Sequence, residues 1–90
     1  SNKISPAVEK LITQKKTLVV NHSEGGAPVE IIGGDSMNVA NQLFMPIVCN
    51  DESIGGIILA EKAKEKAITS SDLSLVMLTA EFVSLHFGDE

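Results

Sequence analysis

Ninety residues, 43% hydrophobic and 21% charged, make one small domain and exclude two. The seven cations are all lysine, set against twelve acids, for a formal charge of −5. That sign repels phosphate backbones, and the lack of arginine removes the bidentate guanine reader, so no nucleic acid contact is expected from this chain.

The first element is a helix over Ser5 to Lys16. Ser5 suits the N-cap, and Pro6 follows where its missing N–H costs nothing. Val8, Leu11 and Ile12 fall on one face, with Glu9, Lys10 and Gln14 turned away. Thr17 to Asn21 is short and β-branched, as a strand is. Gly25-Gly26-Ala27-Pro28 then breaks the chain, Val29 to Ile32 predicts a second short strand, and the polar stretch Asp35 to Asn41 reads as a loop.

Leu43 to Cys49 and Ile54 to Ala60 are matched apolar runs, joined by the turn-forming residues Asn50 to Ser53. They predict a β-hairpin. Pro46 cannot donate to a ladder, which places its strand at an edge or a bulge. Gly55-Gly56 opens the partner strand to close approach by a helix or another backbone. Lys62, Lys64 and Lys66 alternate with Glu61 and Glu65 in a solvated connection. A last helix runs from Thr69 to Phe87, with Thr69 as N-cap, Asp72 completing an acidic capping box and Gly88 as the stop. The order predicts the α+β class, an antiparallel sheet with flanking helices.

Little in this sequence assembles chemistry. His22 and His86 are far apart, and neither has a partner at ligand spacing, so no metal and no cofactor are expected. Cys49 shares its strand face with Met45 and Ile47 and reads as a buried structural thiol; a single cysteine also excludes disulfide frameworks and multi-cysteine zinc sites. The glycine pairs do not match phosphate-loop spacing, and Thr69-Ser70-Ser71 lacks the glycines of a nucleophile elbow. No apolar run is long enough for a membrane span, and no basic region precedes one, so neither membrane insertion nor secretion is expected. A reducing, cytoplasmic setting follows.

The last helix has two apolar faces. Leu73, Val76, Met77, Ala80, Val83 and Phe87 gather in an arc of roughly 120°. Leu75, Leu78, Phe82 and Leu85 form a second arc of roughly 80° on the far side. A helix lying on a sheet needs one such face. Either the first helix covers the second face, or another copy of the chain does; so small a domain has little material for the former.

The segment Met45-Pro46-Ile47-Val48-Cys49-Asn50-Asp51-Glu52-Ser53-Ile54-Gly55-Gly56-Ile57-Ile58 resembles the closing hairpin of GAF domains, an apolar "P-I" strand, a polar turn, then "I-G" and a β-branched strand. The chain as a whole resembles the C-terminal part of the stage V sporulation protein T family of AbrB-type regulators. It departs at Asp51, where the pattern has a glycine, and across His22 to Asn41. The resemblance implies a partial GAF-like domain spanning residues 1–90, a C-terminal fragment of a longer sporulation transcription regulator, activator or repressor. DNA binding would reside in an N-terminal domain outside this sequence, and the GAF part would sense a signal or hold an oligomer together.

Two functions are thus in contention. One is a non-catalytic sensing and oligomerisation module, a dimer or tetramer joined through Leu75, Leu78, Phe82 and Leu85. The other is a small ligand- or cofactor-binding enzyme on a related α+β sheet, which the lack of convergent acid–base groups disfavours. An unidentified small effector is expected against the polar, glycine-containing segment His22 to Asn41, where Asn21, His22, Asn38 and Asn41 can donate or accept.

Overall fold

A computed structural model describes residues 4–31 and 39–88. Helix α1 spans Pro6–Gln14, strand β1 Leu18–Val20, strand β2 Asn41–Cys49, strand β3 Glu52–Glu61 and helix α2 Ser70–Gly88; a single 3-10 turn, His22–Glu24, follows β1. The strands form one antiparallel sheet in the order β1-β2-β3. This is the α+β architecture that the element order predicts.

Register settles which side chains share a face. Leu43, Met45 and Ile47 of β2 alternate onto one side, where they form the core with Ile68, Val76 and Ala80; Ile57, Leu73 and Val83 pack around them. The intervening Phe44 points to the other side of the sheet, as does Val20, which pairs with Gln42; both are buried, as is Val8 of α1. Ser53, paired with Val48 on that same side, donates its hydroxyl to the Ile12 carbonyl of α1 at 2.6 Å. The sheet therefore lies between α1 on one face and α2 on the other.

Each helix starts as its sequence dictates. The Ser5 hydroxyl accepts from Val8 N–H at 3.2 Å and donates to the Glu30 carbonyl, with Pro6 in the first turn. Helix α1 ends at Gln14, two residues before the expected Lys16, because Lys15 turns left-handed at φ +56° and its N–H closes onto Ile12. At α2 the Thr69 hydroxyl accepts from Asp72 N–H at 3.2 Å, and the Asp72 carboxylate accepts from Thr69 N–H at 2.9 Å. This is the reciprocal capping box read from Thr69 and Asp72.

The hairpin departs from expectation in its turn. The strands run on to Cys49 and Glu52, leaving a two-residue connection, Asn50-Asp51, in place of the four residues Asn50 to Ser53. Both residues have positive φ, +52° and +66°, as a type I′ turn requires. Asp51 thus occupies a left-handed position that glycine fills without steric cost. Asp51→Gly is expected to raise stability by about 0.5–1 kcal/mol in a denaturant titration.

Pro46 lies in the middle strand, yet its position keeps the logic of an edge. β1 pairs only with Gln42, Leu43 and Phe44, so β2 has no β1 partner at Pro46, and a bulge follows between Ile47 and Val48. The two glycines of β3 differ sharply. A Cβ on Gly56 would stand 2.5 Å from Cε1 of the buried Phe44 ring, whereas one on Gly55 would meet nothing within 4 Å. What approaches here is a cross-strand aromatic ring, not a helix. Gly56→Ala should therefore cost about 1–3 kcal/mol through overpacking. Gly55→Ala should stay within about 0.5 kcal/mol of the parent, the two being compared by thermal melts.

Val29 to Ile32 does not form the second strand expected of it: Val29, Glu30 and Ile31 are irregular, and Ile32 lies outside the described residues. A side chain replaces the missing ladder. Gln42 accepts from Val29 N–H through Oε1 and donates to the Val29 carbonyl through Nε2, each at 3.0 Å. One amide gives Val29 both of the bonds a neighbouring strand would have supplied.

Candidate functional site

The polar centre of the domain is built on asparagine and glutamine. Asn41 is fully buried at the start of β2. Its Oδ1 accepts from the His22 backbone N–H at 2.7 Å, and its Nδ2 faces the carbonyls of Ala63, Lys64 and Lys66 at 3.1, 3.3 and 2.7 Å. One side chain thus ties the His22 turn to the connection between β3 and α2. Asn21 does the same one step along, donating to the Ile68 carbonyl at 3.2 Å and accepting from Ile68 N–H at 2.8 Å. Among the described residues no buried side-chain nitrogen or oxygen lacks a partner.

Those bonds define what the four expected ligand residues offer. The amides of Asn21 and Asn41 bind the chain's own backbone, His22 is exposed, and Asn38 lies outside the described residues. Beside Asn41 lies a cavity of about 270 Å³ lined by His22, Pro28, Val39, Ala40, Lys62 and Lys64. Lys62 and Lys64, read from the sequence only as a solvated connection, form one of its walls. The signal in the sequence was the pair Asn41-Gln42 heading an otherwise apolar strand; two amides there need buried partners, and those partners bring the lysine loop close.

The second feature is the far side of α2. Leu75, Leu78, Phe82 and Leu85 are 66%, 64%, 71% and 72% exposed, while Val76 and Ala80 on the opposite side are buried. Helix α1 does not cover this face, since it packs on the other side of the sheet. A groove of about 710 Å³ runs along α2 beside the length of β2 that β1 leaves unpaired, with Met45, Pro46, Leu73 and Ala80 in its walls. Met77 and Leu85 line it too, so it opens toward the exposed apolar face.

The remaining candidates stay apart. Cys49 is half-buried, its Sγ 3.6 Å from the Ser84 carbonyl, on the core side with Met45 and Ile47. The His86 ring stands edge-on to Phe87 at 5.6 Å between centroids. Among the described residues no group of three or more His, Cys, Asp or Glu side chains is placed to hold a metal ion. No helix of the described residues is long and apolar enough to cross a membrane.

A three-stranded antiparallel sheet between two helices, with its buried amides holding its own backbone, is a small α+β domain. The chain belongs to the family described as stage V sporulation protein T C-terminal, transcription factor, whose model matches residues 1–87. It is accordingly the C-terminal domain of a sporulation transcription factor. No curated protein matches the chain.

Proposed function

We propose that residues 1–90 form a single GAF-like regulatory domain, without catalytic activity, that joins copies of a cytoplasmic transcription regulator and responds to a small effector. The observation that carries this reading is the solvent-facing seam Leu75, Leu78, Phe82 and Leu85. These residues recur at spacings of three and four, as the contact line between packed helices does. Crossing two copies of α2 about a two-fold axis buries eight such side chains, worth about 8–16 kcal/mol given their present exposure. That is of the same size as, or larger than, the roughly 4–15 kcal/mol that association costs. Two dimers could share the helices in a four-helix bundle. DNA contacts belong to a separate N-terminal domain, and effector binding to the surface beside the His22 turn, where His22 is exposed and the amides of Asn21 and Asn41 hold the surrounding backbone.

Thermal melting over a hundredfold range of protein concentration tests self-association. The melting temperature should climb with concentration, because dissociation accompanies unfolding. A midpoint that stays constant over the whole range overturns the reading.

A further inference from the structure

We propose that the cavity beside the His22 turn takes a compact anion, a small phosphate- or carboxylate-bearing metabolite, held by Lys62, Lys64 and His22. This deepens, and rests on, the effector-sensing reading above. The chain carries a formal charge of −5, yet the described residues that line this cavity include two lysines and a histidine and no aspartate or glutamate. The acids nearest in sequence to these three residues are Glu24, Glu61 and Glu65, none of which lines the cavity; Glu61 turns back on its own loop and accepts from Ala63 N–H at 2.9 Å. A neutral polar ligand finds little here, because the amides of Asn21 and Asn41 already hold backbone groups. An anion finds donors.

The two sides of the cavity are fixed to each other before any ligand arrives. The His22 backbone and the carbonyls of Ala63, Lys64 and Lys66 all meet the one fully buried Asn41 amide. The two lysines flank Ala63, so their stems start from a backbone already held in place, and less freedom is lost on binding. Pro28, Val39 and Ala40 supply an apolar wall for a short carbon skeleton. At about 270 Å³ the space falls just below the roughly 300–1,000 Å³ of sites for larger organic ligands, which suits a small metabolite better than a dinucleotide.

The test is a titration of the uniformly ¹⁵N-labelled chain at constant ionic strength with inorganic phosphate, with citrate, and with a panel of neutral sugars and amides. Saturable shifts at the amides of His22, Ala40 and Ala63 are expected with phosphate, citrate or both, and which of the two acts identifies the source of the charge. The exposed-loop variant Lys62→Gln/Lys64→Gln should fold as the parent does and weaken that binding by at least about tenfold. Saturable binding that the double variant leaves unchanged overturns the proposal. Shifts with neutral compounds alone overturn the anion while leaving effector sensing intact. Silence from every compound overturns both, and self-association through α2, measured separately, is untouched by any of these results.

Discussion

The double variant Leu78→Asp/Phe82→Lys is expected to remain folded and to lose self-association. Both side chains are largely exposed in the isolated domain, so replacing them removes no core contact. In a helix–helix seam, the same changes remove two apolar contacts per copy and bury an i, i+4 Asp–Lys pair where water is excluded, and the lost contacts and the desolvation together cost several kcal/mol in each copy. The dissociation constant should rise by a factor on the order of 10³ or more. Light scattering after gel filtration reads the mass, and far-UV circular dichroism reads the fold. Val76→Asp is the contrasting control: Val76 is 7% exposed against the sheet, and a charge there should unfold the chain.

The second large effect is expected at Asn41. Asn41→Ala deprives the His22 N–H and three loop carbonyls of their common partner in one step. An unsatisfied buried group costs about 1–3 kcal/mol, and partial rehydration of the loop limits the sum to about 2–4 kcal/mol. For a domain of this size that lowers the melting temperature by roughly 10–25 °C. Asn41→Asp retains the acceptor for His22 but turns a carboxylate toward the three carbonyls. It should be no more stable than Asn41→Ala at neutral pH. A melt in which Asn41→Asp matches the parent would show that the donor contacts contribute nothing.

The parts of this fold legible in the sequence are those fixed by local chemistry. Ser5-Pro6 starts α1, Thr69 and Asp72 cap α2, and the apolar runs on either side of Asn50-Asp51 pair as a hairpin. The two arcs of α2 separate in the structure over most of their length: Val76 and Ala80 are buried and Leu73 and Val83 pack beside them, while Leu75, Leu78, Phe82 and Leu85 face outward; Met77 and Phe87 of the inner arc are exposed as well, at 44% and 55%. Long-range substitutions for backbone pairing are what sequence periodicity does not carry. Val29 looks like strand because it is β-branched, yet its partner is the Gln42 side chain, thirteen residues away. The two-residue turn escaped because Asp51 takes a positive φ that turn statistics assign first to glycine. The lysine wall of the small cavity escaped for the same reason as Val29: Asn41 draws residues 63–66 in across a gap of more than twenty positions.

Sedimentation equilibrium of the unaltered 90-residue chain at micromolar concentration addresses most directly the claim that the outer face of α2 joins copies of this domain. The account predicts a mass of two or four chains, each 9.5 kDa, falling to one chain in Leu78→Asp/Phe82→Lys. A single-chain mass for the unaltered protein across that range would contradict it.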